Sequence, residues 1–246
     1  CNEKILGKDS GQNYWYSYAL VILVFMIIVM YGMMIATSVA NEKSNRTVEI
    51  LVTSTSSSSL LFGKVFAAVT AIIFQMGLVF ASILGSYKFN EDSLDGMLDM
   101  FFDIPAEVLV TFAVFGLGGF LIYAFMYGAL GALVSKIEDL NKSAGTAQML
   151  VMVIYFLVLF QMQEPDGIVI RILSYLPVSS YSAMFIRIAM GTVATWEIVV
   201  SAVILYVSVV AMGFVGAKIF RNSTLRYGNP IKLTNAIRGL RSEKNN

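Results

Sequence analysis

Four charged side chains, Glu42, Lys43, Arg46 and Glu49, share one polar stretch, NEKSNRTVEILVTSTSSSSLL (41–61), set between two long apolar runs. Glu42 precedes Arg46 by four residues, the spacing of a helical ion pair. Val48, Leu51, Val52 and Thr55 follow the i, i+3, i+4, i+7 pattern of one helical face, which predicts a short amphipathic helix lying at a membrane surface. Ser and Thr fill 53–59, where hydroxyls compete with the backbone and favour caps over helix interiors, so the next long helix is expected to start from a capped turn. The chemistry open to these charges is ionic contact at that surface.

Bond-making chemistry finds few candidates. The chain has no histidine, which removes Ser–His and Cys–His catalysis, His-bearing zinc sites and haem ligation by His. Glu91, Asp92, Asp95, Asp99, Asp103 and Glu107 crowd 88–107 against Lys88 alone, but the spacing of a calcium loop is missing and the segment reads as a solvated acidic face. Leu61-Phe62-Gly63-Lys64 imitates the end of a phosphate-binding loop. It fails because the leading Gly would fall on Ser58 and Val65 stands where Ser or Thr is needed. Cys1 is the only cysteine, so no disulfide forms within the chain. No basic stripe interleaved with aromatics is present, and no nucleic-acid partner is expected. Catalytic, cofactor-binding and metal-binding residues are therefore assigned to none.

The elements that must position the 41–61 stretch are membrane spans. The 246 residues are 57% hydrophobic and 13% charged, against roughly 25% charged in a soluble domain, and the mean hydropathy is +0.74. The fold class is all-α integral membrane protein. Five crossings are predicted, over 14–40, 64–87, 108–135, 144–162 and 197–220, each near or above the ~18 residues that mark a candidate span. Tyr14, Trp15, Tyr16 and Tyr18 cluster at the start of the first, at headgroup level. Between the fourth and fifth, 164–196 is broken at Pro177 into two pieces, 168–176 and 182–190. Each is too short for a hydrocarbon core ~30 Å thick, which predicts a re-entrant or interfacial helical hairpin carrying Arg171 and Arg187. The whole of 1–246 is read as one transmembrane domain with a polar stub at 1–13, an acidic loop at 88–107 and a basic tail at 221–246. A chain that starts at Cys1 without Met is expected to be part of a longer protein.

Lys and Arg decide the orientation. With the start of the chain outside, twelve lie inside (Lys43, Arg46, Lys64, Lys136, Lys142, Lys218, Arg221, Arg226, Lys232, Arg238, Arg241 and Lys244) and five outside (Lys4, Lys8, Lys88, Arg171 and Arg187). The positive-inside rule selects this topology. It predicts a cytoplasmic 41–61 helix and basic tail, with the acidic loop and the hairpin outside. No Asp, Glu, Lys or Arg falls well inside a predicted span, which argues against a self-contained secondary transporter or proton pump. The same absence argues against a membrane-embedded enzyme, and a structural or assembly membrane protein is the stronger rival. Gly116, Gly118, Gly119, Gly128 and Gly131 give the third span small-residue faces for tight helix packing.

The run ANEKSNRTVEIL (40–51), directly after a span, resembles the signature of type-2 ABC transporter permeases: an acidic-basic pair, an Arg-Thr step, then an acid followed by aliphatics. Tyr175-Leu176-Pro177-Val178-Ser179-Ser180, with Arg187 and Gly191, is similar to the family's extracellular hairpin before the last span. Arg226-Tyr227-Gly228 and the basic stretch after it resemble family C-termini. The nearest subgroup resemblance is to sodium-extrusion (Nat-type) permeases and drug or antimicrobial-peptide exporters. The resemblance implies a C-terminal portion of a six-span permease, lacking the first span, with 41–61 as the cytoplasmic coupling helix. It further implies a separate ATP-binding subunit as partner, contacted by Glu42, Arg46 and Glu49. A second permease copy or a related permease would enclose the path, in the plasma membrane. Export of sodium, a drug, a peptide or a lipid-like molecule is the implied activity. No carboxylate stands ready to ligate sodium in a span, so an amphipathic or lipid-like substrate suits the apolar path equally well.

Overall fold

The computed structural model of the chain describes residues 10–45, 47–89, 106–134 and 137–224, and every element among them is helical. α1 (Ser10–Ser44) is followed by the short α2 (Thr47–Ser54), then by α3 (Ser57–Phe89) and α4 (Ala106–Leu133). α5 (Leu140–Phe160) is flanked by 3₁₀ turns at Ile137–Asp139 and Gln161–Gln163. α6 (Ile168–Tyr175), α7 (Ser180–Met190) and α8 (Thr195–Thr224) complete the order. Five stretches among the described residues are long and apolar enough to cross a bilayer: Tyr14–Ser44, Ser57–Tyr87, Val108–Leu133, Ile137–Gln163 and Thr195–Ser223. Helix is the form such stretches take because hydrocarbon offers no partner for backbone N–H and C=O groups, and a helix pairs them all within one segment.

The 41–61 stretch is divided otherwise than expected. The helix of the first span does not stop near residue 40 but runs to Ser44, so Glu42 and Lys43 occupy its last turn. The next long helix begins at Ser57, seven residues ahead of the expected 64. Only Thr47–Ser54 remains as a separate short helix. Ser56 starts α3 as a cap: its Oγ accepts the Ser59 N–H at 3.1 Å and lies 2.7 Å from Ser59 Oγ. The acidic loop, the stub and the basic tail fall outside the described residues, apart from a few residues at helix ends.

The chain gathers into two compact units. The first comprises Cys1–Phe25, Val69–Gly119 and Tyr155–Leu205, and the second Met26–Ala68, Phe120–Ile154 and Tyr206–Asn246. In the first, α7 is the core: every side chain from Ser180 to Ala189 is buried. Phe185 meets Phe112 of α4 edge to face at 5.4 Å, and a Cβ on Gly119 of α4 would collide with Tyr181. α6 lies against α7 but leaves Ile168, Val169, Ile172 and Leu176 exposed. The break between them is local chemistry. Leu176 is extended (φ −76°, ψ 123°), as a residue before proline must be, and Pro177 has no N–H with which to continue the helix.

In the second unit, α1 presents Ile28, Gly32, Ala36, Val39 and Lys43 at helical spacing, a seam that faces inward. Gly131 of α4 packs directly on it. A Cβ there would lie 2.5 Å from the Ala36 carbonyl oxygen, a backbone atom that cannot step aside. Phe62 of α3 closes the other side against Phe125 of α4, with ring centroids 5.1 Å apart.

Candidate functional site

At the junction of α1, α2 and α3 the polar residues of the second unit find partners. Lys64 Nζ donates to Glu42 Oε1 at 2.5 Å and to Ser38 Oγ at 2.7 Å. Ser38 and Glu42 stand one turn apart on α1, so a single ammonium from α3 bridges both. Lys43, only 1% exposed, donates to the Ala132 carbonyl at 2.6 Å. Ala132 belongs to the last turn of α4, whose final carbonyls lack intrahelical partners and carry the negative end of the helix dipole.

These contacts give Glu42 a partner that helical spacing does not show. Its Oε1 is held by Lys64, because α1 stays helical through Ser44 and carries Glu42 beside Ser38 toward the start of α3. Arg46 lies outside the described residues, and so does the side chain of Glu49, although its backbone lies on α2. On that helix Ile50 is 72% exposed, and Thr53 returns its hydroxyl to the Ile50 carbonyl at 2.6 Å. Glu42 and Lys43 fall in the last turn of the first spanning stretch and Lys64 near the start of the second. Charge near a span end is tolerated here because each group has a partner.

The Glu42–Lys64 pair has a measurable consequence. Both side chains keep some solvent contact, so Glu42→Lys alone is expected to lower stability by about 1 kcal/mol. The reversed pair Glu42→Lys with Lys64→Glu should recover most of that loss in a double-mutant cycle of denaturant unfolding. Additive losses would mean the two residues do not act on each other.

Arg187 and Pro177 mark the second cluster, in the first unit. Pro177 lies in the turn between α6 and α7. Ser179 secures that turn by donating to the Leu173 carbonyl at 2.7 Å, while Ser180 N–H donates to the Leu176 carbonyl at 2.8 Å. Arg187 is 0% exposed and forks two ways: NH1 to Ser174 Oγ at 2.8 Å and NH2 to Glu197 Oε2 at 2.5 Å. Its Nε has no partner among the described residues. Ser201 Oγ of α8 donates to the Ser174 carbonyl at 2.6 Å. One guanidinium thus joins α6, α7 and the first turn of α8, where Glu197 also suits the positive helix end. Asp166 fastens the loop after α7 by accepting from Thr192 N–H at 3.1 Å. Burial raises the Tyr181 phenol above its usual range, with the Ser182 hydrogen bond pulling the other way, so it stays neutral. Sequence reasoning singled out Arg187 but missed Glu197, Ser174 and Ser201. A lone charge in an apolar hairpin is a signal, whereas the partner that neutralises it is not.

Among the described residues no cluster of His, Cys, Asp and Glu could hold a metal. The clusters are suited to fastening helices together. One exposed face of α1 forms a shallow surface depression lined by Met30, Met33, Met34, Thr37 and Asn41 among others.

A family model for the ABC-2 family transporter protein matches residues 2–218. The chain is 28% identical over 243 residues to YhaP, an uncharacterized protein of Bacillus subtilis (strain 168), covering 97% of this chain and 58% of that protein. It is 25% identical over 243 residues to MJ1024, an uncharacterized protein of Methanocaldococcus jannaschii, covering 96% of this chain and 56% of that one. The chain therefore spans less than two thirds of the length of either relative. No solved structure matches it. With five spanning helices, an acidic-basic run at the end of the first and a family match over nearly its whole length, the chain belongs to the ABC-2 family of transporter proteins, as a multi-pass membrane permease component.

Proposed function

We propose that this chain forms the substrate path of an exporter of the Nat-type or drug-exporter subgroup, as the C-terminal portion of a longer permease driven by a separate ATP-binding subunit. The observation that carries the reading is α2: an eight-residue helix, too short to span, with Ile50 exposed, inserted between two spanning helices at the family's charged motif. In this reading α2 is the cytoplasmic coupling helix, Arg46 and Glu49 meet the ATP-binding subunit, and Glu42 holds the helix's root through Lys64. The excess of Lys and Arg at that end supports a cytoplasmic placement, with the α6–α7 hairpin outside and the protein in the plasma membrane. A second copy or a related permease completes the path. The methionines on α1 offer an adaptable apolar surface, which favours an amphipathic or lipid-like substrate over a bare ion.

The experiment is a charge reversal on α2. Glu49→Lys in the assembled transporter is expected to reduce permease-dependent ATP hydrolysis by about tenfold or more, since opposing like charges at a docking surface costs over 1.4 kcal/mol. Membrane insertion should be unchanged. Full activity in the variant would remove Glu49 from the contact.

A further inference from the structure

The buried amine of Lys43 has no place in the coupling scheme so far. Its position follows from the seam on α1. Ala36, Val39 and Lys43 succeed one another at helical spacing, and at Ala36 Gly131 lets the α4 backbone pack directly on that of α1. Two turns beyond Ala36, the same face therefore reaches the end of α4, and Lys43 Nζ meets the Ala132 carbonyl at 2.6 Å. A cation on a helix C-terminus gains from the dipole and satisfies a carbonyl left without an intrahelical donor. Among the described residues Lys43 is also the last buried one before α2, which starts four residues later. On the next face, Glu42 ties the same turn of α1 to Lys64 of α3.

We propose that Lys43 is a positioning residue for energy coupling, resting on the reading of α2 as the coupling helix. By closing the end of α4, its ammonium makes the root of α2 common to α1 and α4, while Glu42–Lys64 makes it common to α3. A push on α2 then moves three spans as one body. Without the ammonium, α2 can still dock and the ATP-binding subunit can still turn over, but the displacement is lost as slack between α1 and α4. A joint of this kind serves coupling because movement is transmitted through rigid helices and the hydrogen-bond and ion-pair contacts that link them.

The test uses the full-length permease purified with its ATP-binding subunit, with Cys1→Ser and every other native cysteine replaced by serine, and spin labels on Met34→Cys and Trp196→Cys, both at exposed positions. The distance distribution is read without nucleotide and after trapping with ATP and vanadate. The unmodified site is expected to give a nucleotide-driven shift. Lys43→Met is expected to abolish the shift while ATP hydrolysis stays within about twofold, and Lys43→Arg, which keeps a charged donor, to restore it. A full shift in Lys43→Met overturns the proposal. So does loss of shift and ATP hydrolysis together, which would make Lys43 a residue of assembly alone. Should Lys43→Met fail to assemble, the same two readouts on Lys43→Gln decide: an undiminished shift refutes the role of the charge, and a reduced shift with sustained hydrolysis supports it. A parent complex that shows no nucleotide-driven shift would break the permease reading itself, a different outcome from either.

Discussion

Arg187→Ala is expected to be the most damaging single change in the cluster that joins α6, α7 and α8, lowering the free energy of unfolding by about 3–5 kcal/mol. The magnitude follows from what remains. Glu197 would keep its charge among packed helices without its counter-ion, and Ser174 Oγ would lose a donor, while a cavity opened inside α7. Arg187→Lys should recover only part of the loss, because a single ammonium cannot reproduce a planar fork that reaches two acceptors at once. Glu197→Gln should cost less than Arg187→Ala, since the amide oxygen still accepts and Glu197 keeps some exposure. Denaturant unfolding of the purified protein, followed by loss of helical circular dichroism, measures all three. A loss below about 1 kcal/mol in Arg187→Ala would mean the pair is no more than a surface contact.

Gly131→Val should come close to it by a different route. Alanine or valine in a helix ordinarily gains over glycine, by up to about 1 kcal/mol for alanine. At Gly77, where nothing lies within 4 Å of an added Cβ, Gly77→Ala is therefore expected to be neutral or stabilising. At Gly131 the sign reverses. The added Cβ would press on the Ala36 carbonyl oxygen and Cα, which belong to the backbone of α1, so two helices must separate. A loss at the upper end of the ~1–3 kcal/mol typical of overpacking is expected, with reduced membrane accumulation. Separation there would also draw Lys43 away from Ala132, so Gly131→Val should mimic the coupling defect expected of Lys43→Met. Equal accumulation and stability of Gly77→Ala and Gly131→Val would contradict the close approach of α1 and α4.

What could be read from the sequence was whatever depends on one segment alone. A bilayer requires about twenty apolar residues in a row whatever surrounds them, so five spans were legible, as was the break at Pro177, which a missing N–H enforces locally. The boundaries within 41–61 were not legible in the same way. α1 continues to Ser44 because Lys43 reaches a carbonyl 89 residues away and Glu42 an ammonium 22 residues away, and no local pattern carries either contact. The Glu42–Arg46 spacing is local and so was legible, whereas the contact of Glu42 with Lys64 joins two helices and was not. Arg187 announced itself as a charge in an apolar hairpin, but Glu197 looked like the ordinary first turn of a span. The small residues of α4 were legible as packing faces, while their partners, Ala36 and Tyr181, came only with the three-dimensional arrangement.

The most direct test of the central claim is purification of the full-length protein from its host in mild detergent, followed by an ATP hydrolysis assay on whatever accompanies it. A co-purifying ATP-binding subunit is expected, with its association or activity lost when the α2 segment is replaced by a flexible linker. A permease that purifies alone, with no ATPase bound and no change on removing α2, would contradict that claim and return the chain to the reading of a structural membrane protein.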